Sequence, residues 1–238
     1  SYNMIPDDKV PYVPGYVGAQ TTNAFEMTFD GNDDYFDSNF IPANNITTNF
    51  TISAWVNVGS FAAGGIQSII NTEDYAGSQS RFSFRIYNDG AACANCNVAN
   101  IKYYIAFGNT HNQIRSSISN FSNNTWVHLA LTYDGTDIKM YSNGTLDDTY
   151  NAGSIGPLPP IGTYNGHAFI GAGQDSRTGN PPRHFLNGSI DEVAIFDKAL
   201  TADQVKFDLY EPTTTGKTAD IENNTNLPTP VAWYRMGD

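Results

Sequence analysis

Five consecutive residues, Asp30-Gly31-Asn32-Asp33-Asp34, put three carboxylates and an amide into one turn-rich stretch. Hard oxygen donors at that density suit Ca²⁺, which takes about six to eight oxygen ligands from carboxylates and carbonyls. The same residues also make a turn without an ion. Gly31 accepts positive φ, and Asp side chains accept hydrogen bonds from nearby backbone N–H groups. Both readings of Asp30, Asp33 and Asp34 stay open at this level.

The basic residues are few, 12 Lys and Arg against 24 Asp and Glu, for a formal net charge of −12. That balance excludes a nucleic-acid partner, because phosphate contact needs a positive surface. Several of the bases are concentrated among tyrosines. Arg81-Phe82-Ser83-Phe84-Arg85-Ile86-Tyr87 and Lys102-Tyr103-Tyr104-Ile105-Ala106-Phe107 alternate with period two. Phe82, Phe84, Ile86, Tyr103, Ile105 and Phe107 then face a core, and Arg81, Ser83, Arg85, Tyr87, Lys102 and Tyr104 face away from it. Arg115 joins them from the next strand. Sugars are held by aromatic faces and a few fixed polar groups, so Arg81, Arg85, Tyr87, Lys102, Tyr104 and Arg115 form a candidate ligand-binding patch suited to an acidic glycan. The plainer reading is a solvated sheet face, or one covered by another subunit.

Other chemistries find no support in the residue spacing. No Ser-centred nucleophile elbow and no phosphate-cradling glycine loop occurs. Asp191 and Glu192 are adjacent, so on a regular strand they point to opposite faces and cannot work as a paired acid and base. Cys93 and Cys96 form the one Cys-x-x-Cys, and His111, His128, His167 and His184 show no zinc-ligand spacing. Without a βαβ frame the cysteine pair is read as a local loop-closing disulfide or as two idle thiols. No run of 18 apolar residues is present, so no membrane span is expected. The first residues lack the basic and apolar regions of a signal peptide.

The elements that must carry these residues are strands. Phe25-Glu26-Met27-Thr28-Phe29, Phe50 to Val56, the two segments above, Trp126 to Tyr133, Asp137 to Ser142, Ala168 to Gly171 and Ser189 to Phe196 are strand-like runs. Asp134-Gly135 and Asn143-Gly144 between them are turn signals. The spacing predicts an all-β chain, a sandwich or barrel. One short helix is expected after Thr201-Ala202-Asp203-Gln204, a capping box in which Thr201 and Gln204 satisfy each other's free backbone donors. Residues 1–24 read as an N-terminal arm and 25–211 as the sandwich. Residues 212–238 read as a linker, over 212–230, followed by a strand-like tail, Val231-Ala232-Trp233-Tyr234-Arg235-Met236.

Five segments occur in order: Phe29-Asp30-Gly31-Asn32-Asp33-Asp34-Tyr35, Phe50-Thr51-Ile52-Ser53-Ala54-Trp55-Val56, Trp126 to Gly135, Ile138 to Gly144, and Gly188 to Phe196. With the helix start at Ala199-Leu200-Thr201, this set resembles the laminin-G-like domains of the concanavalin A-like lectin/glucanase superfamily, over about residues 25–210. The resemblance implies an antiparallel two-sheet jelly roll with one concave face and one short helix near the C-terminus. It also implies that Asp191, on the late strand where related jelly rolls place a cation ligand, joins Asp30, Asp33 and Asp34. Such domains open on a short aromatic strand, which residues 1–24 lack and the tail 231–238 resembles; the tail is expected to fold back and supply it, or else to begin a second domain or pair with a neighbouring molecule's sheet edge. The related glucanases carry Glu-x-Asp-x-x-Glu on a strand, and this chain does not.

The expected function is a non-enzymatic binding or adhesion domain that recognises a surface glycan or polysaccharide, outside the cell, on its surface or on a virion. The alternative is a structural subunit, a virion decoration or tail protein or a filament, whose task is self-assembly or assembly with virion partners. A glycosidase is the third reading, without its carboxylate motif.

Overall fold

In the computed structural model, residues 26–46, 48–59, 65–73, 81–88, 101–108, 112–115, 122–151, 153, 167–173, 182–214 and 220–236 are described. Their strands in chain order are β1 Met27–Asp30, β2 Phe36–Asp37, β3 Phe50–Val58, β4 Ile66–Glu73, β5 Arg81–Asn88, β6 Ile101–Gly108, β7 Asn112–Arg115, β8 Trp126–Tyr133, β9 Asp137–Ser142, β10 Thr145–Asn151, β11 Phe169–Ile170, β12 Asn187–Phe196 and β13 Ala232–Tyr234. They form two antiparallel sheets. One runs β1-β12-β3-β8-β9-β10 with β13 also on β12, and the other runs β2-β11-β4-β5-β6-β7. The strands alternate because β-branched and aromatic residues at every second position need a dry face, and each sheet provides one for the other.

The core lies between the sheets. Ile52, Ala54, Val56 and Val58 of β3, Leu129 and Leu131 of β8, and Ile190, Val193 and Ile195 of β12 pack with Ile69 and Ile70 of β4, Phe84 and Ile86 of β5 and Ile170 of β11. Gly171 sits at φ 82°, and a Cβ there would collide with the ring of Phe29. A larger residue would push β1 off the core.

A second apolar cluster covers the outer face of the seven-stranded sheet. Ala130, Tyr141, Ala194 and Phe196 of that face meet Leu200, Val205, Leu209, Ile221 and Leu227, with Trp233 packed against them. Residues 220–230, expected as a linker, therefore contribute Ile221 and Leu227 to a packed layer. The capping box forms: Thr201 N donates to Gln204 Oε1 at 2.9 Å, and Gln204 N donates to Thr201 Oγ1 at 3.2 Å. The helix it starts adopts π-type bonding over Gln204–Tyr210 and continues as Glu211–Thr214.

The tail folds back as its sequence suggests. Val193, Ala194 and Ile195 of β12 pair with Tyr234, Trp233 and Ala232 of β13. On the same edge of β12, Asn187 to Ile190 pair with Asp30 to Met27 of β1. Between the two lies a bulge, where the pairing of β12 with β3 shifts between Asp191 and Ala194 and Glu192 takes φ 51°. Positive φ is costly for a non-glycine residue, and the tail holds it there. Trp233 Nε1 donates to Glu192 Oε2 at 2.7 Å, and Arg235 Nε lies 3.8 Å from Glu192 Oε1. The bulge thus removes Glu192 from the alternation expected for Asp191-Glu192, and its carboxylate meets the outer layer.

Candidate functional site

The six-stranded sheet turns one face to the core and the other away from it. Ile70, Phe84 and Ile86 are in the core, so their strand neighbours Asn71, Ser83 and Arg85 lie on the far face. The register aligns them. Asn71 of β4 opposes Ser83 of β5, and Ser68 opposes Arg85. Continuing across, Arg85 opposes Tyr104 of β6, and Tyr104 opposes Arg115 of β7. Tyr87 opposes Lys102 one row along. Five of the six expected ligand residues therefore hold adjacent register positions. The sixth, Arg81, opposes Gly108 four residues down the strand from Arg85, about 13 Å away.

The floor of this face is polar and buried. Ser68, Asn71 and Ser83 have no exposure and Arg85 has 3%. Arg85 therefore lies on the expected face without being the solvent-facing group that alternation suggests; whether a residue away from the core meets water depends on what lies over it, which the strand's own pattern does not carry. Asn71 Nδ2 donates to Ser83 Oγ at 2.7 Å. Asn71 Oδ1 and Ser68 Oγ have no hydrogen-bond partner among the described residues. Buried polar atoms are costly unless paired, so this floor is suited to a polar ligand. The loops at the β4 side are pinned to it: Ser68 N donates to the His184 carbonyl at 2.9 Å, and Gly173 and Arg183 form a two-way bridge.

The same face continues across β11 to β2. Phe169 of β11 opposes both Asn71 of β4 and Asp37 of β2. The ring of Tyr35 stacks on Phe169 with centroids 4.6 Å apart at 28°. His167 Nδ1 lies 3.1 and 3.3 Å from the two oxygens of Asp37. Strands β2 and β11 have two residues each, too short for any period to register. The one readable signal was the aromatic-acid pattern Tyr35-Phe36-Asp37 after the acidic turn.

That turn brings Asp30, Asp33 and Asp34 together, each offering a carboxylate oxygen within 4.8 Å of the others. Asp30 accepts hydrogen bonds from Asn32 N at 2.8 Å and Asn32 Nδ2 at 3.1 Å, and Asp34 Oδ2 accepts one from Asp30 N at 3.1 Å. The bonds from Asn32 hold the Asp30 carboxyl below the usual carboxylate range. The donor set fits a hard cation, while those same bonds already stabilise the turn unaided. Asp191 does not join it. The residue of β12 opposite Asp30 is Asn187, and Asp191 stands four positions further on, about 13 Å along the strand. There it is buried, opposite Trp55, with Oδ1 accepting from Glu192 N at 2.8 Å. The expectation had the neighbouring strands right and their register wrong. Cys93 and Cys96, like the arm 1–24, lie outside the described residues.

On the other sheet, His128 is a structural residue. It is 2% exposed between Trp55 and Tyr210, with centroids 5.4 and 5.8 Å away. Burial pushes its imidazole down to about 3.

Two stacked antiparallel sheets, one packed on both faces and one with a polar far face, define a lectin-type sandwich. The chain belongs to the Laminin_G_3 family of the concanavalin A-like lectin/glucanases superfamily, whose model matches residues 30–206. Among solved structures it is similar to a candidate carbohydrate binding protein from Bacteroides ovatus, at 21% identity and a TM-score of 0.62, over 90% of this chain and 52% of that one. The chain thus spans about half the length of that protein. It is also similar to the CBM40 of Ruminococcus gnavus IT-sialidase bound to α2,3-sialyllactose, at 17% identity and a TM-score of 0.55, over 76% of this chain and 93% of that one. A third is the heptameric SAP-like pentraxin of Limulus polyphemus, at 16% identity and a TM-score of 0.56, over 79% of this chain and 82% of that one. No protein of curated function matches the chain by sequence.

Proposed function

We propose that this domain binds carbohydrate on the far face of the six-stranded sheet and does so without catalysis. The observation that carries the reading is the buried polar floor of Ser68, Asn71, Ser83 and Arg85, with two oxygen atoms lacking a partner among the described residues. A hydroxyl-rich ligand satisfies such atoms better than an apolar one. The guanidinium of Arg85 favours a glycan bearing a carboxylate at this end, because guanidinium groups pair with carboxylates through parallel hydrogen bonds. The fold's similarity to modules named for carbohydrate binding adds support. Sugar binding suits a domain working outside the cell or on a virion.

The test is a glycan array of neutral and acidic oligosaccharides, followed by titration of the best binder with wild type and Arg85→Gln. An acidic glycan bound by wild type and at least about tenfold weaker with the variant is expected, since one charged hydrogen bond is worth about 1.5–3 kcal/mol. Wild type retaining nothing on the array would end the reading, and turnover of any bound glycan would end its non-catalytic part. Calcium at Asp30, Asp33 and Asp34 is a structural accessory in this proposal. A melting temperature that rises with added Ca²⁺ supports it, and one unmoved by either Ca²⁺ or chelation removes it.

A role in assembly is the second reading, favoured by one observation. Among the described strands β10 ends the seven-stranded sheet, and it carries Leu146 at 49% and Tyr150 at 43% exposure; an edge strand is a template for pairing. Light scattering that reports a monomer up to high concentration would count against it.

A further inference from the structure

We propose that the β2–β11 end of this face is a stacking subsite for a neutral pyranose ring of a bound oligosaccharide. The inference rests on the carbohydrate reading of this face and adds a second recognition point to it.

Four large hydrophobic side chains are exposed among the described residues: Tyr35, Leu146, Tyr150 and Phe207. Of these, Tyr35 alone lies against a second aromatic ring, that of Phe169. Phe169 fixes the Tyr35 ring from behind, while Tyr35 itself stays 43% exposed. A fixed exposed ring binds at low entropy cost, because little side-chain freedom remains to be lost. Beside it are the groups a sugar needs at its rim. Asp37 is an acceptor, its side chain 46% exposed and oriented by His167. An aromatic plane meets the C–H face of a pyranose, and acceptors at its margin meet the hydroxyls.

The charge of this end selects the sugar. Asp37 lies in the same segment as Asp33 and Asp34, and it is Arg85, two strands beyond β11, that brings positive charge to the floor. An anionic ring over Tyr35 would face carboxylates, whereas a neutral one hydrogen-bonds to them. Asp37, Phe169, Asn71 and Ser83 form one row across β2, β11, β4 and β5. Exposure on this row ends at β11, since Asn71 and Ser83 have none, so the subsite holds the ring at the β2–β11 end.

The experiment is isothermal titration of the full chain with cellotetraose, xylotetraose, chitotetraose, lactose and α2,3-sialyllactose. Wild type, Tyr35→Ala, Tyr35→Phe and Arg85→Gln are compared. The expected result is that a neutral tetrasaccharide binds wild type, binds Tyr35→Ala about tenfold more weakly and binds Tyr35→Phe nearly as wild type, as loss and rescue of a ring contact require. A Tyr35→Ala protein that binds its best oligosaccharide as tightly as wild type, while Arg85→Gln loses it, overturns the subsite and leaves the carbohydrate reading standing. A wild-type protein that binds none of the five probes overturns both.

Discussion

The two sheets are made of the same kind of strand and have opposite fates. The seven-stranded sheet is sealed on both faces, by the other sheet on one side and by the helical segment, Ile221, Leu227 and Trp233 on the other. The six-stranded sheet buries apolar side chains on its core face and polar ones, Ser68, Asn71, Ser83 and Arg85, on the other. Strands β8 and β12 read as nearly unbroken buried runs, and Ser83 to Ile86 of β5 are buried as well, with polar Ser83 and Arg85 alternating with apolar Phe84 and Ile86. A layer that only packs can spend both faces on apolar contacts, and a layer that presents a ligand surface must keep one for hydrogen bonding.

The sharpest way to break that contrast is to uncover the packed sheet. Deleting residues 231–238 removes β13 and with it Tyr234, Met236 and Trp233 from the two clusters. The expected cost is about 5 kcal/mol or more, read as a fall of about 10–20 °C in melting temperature. A truncated chain that melts with the full one would show that the outer layer is not a stabilising cover.

Acid attacks the same layer from within. The imidazole of His128 is held down to about 3 in the fold against an ordinary 6.5. Above pH 6.5 both folded and unfolded chains carry it neutral. Below that the unfolded chain takes up a proton first, so stability is lost as pH falls from 6.5 toward 3, by about 1.4 kcal/mol per pH unit. Denaturant midpoints measured between pH 7 and 4 should show this slope, and His128→Leu should flatten it.

The smallest effect separates the two faces of one strand. Ile70→Ala should cost about 2–5 kcal/mol, because it opens a cavity between the sheets. Asn71→Ala, one residue on, should cost about 1 kcal/mol or less, because the lost bond to Ser83 is offset by removing an unsatisfied acceptor. Paired thermal melts decide it, and equal losses would mean that Asn71 is there for packing.

Much of this architecture was legible in the sequence. Long alternating runs such as Arg81 to Tyr87 announced their strands and placed Phe84 and Ile86 in the core. The capping box at Thr201 and Gln204 forms as read, because its partners are three residues apart. What depended on distant partners was not legible. The family resemblance puts Asp191 beside the acidic turn, and its strand does neighbour β1, yet register, fixed by long-range pairing, puts Asn187 there. The bulge at Glu192 has no local signature, since its positive φ is upheld by Trp233 from 41 residues away. The Tyr35–Phe169 stack joins two-residue strands far apart in the chain, so neither half signals the other.

The shared edge of β12 has a consequence for synthesis. Its first half is capped by β1, made early, and its second half by β13, whose residues 232–234 emerge from the ribosome well after β12. During that interval the nascent domain carries a half-zipped border with a strained bulge at its midpoint, so chaperone capture or strand-exchange errors should concentrate there.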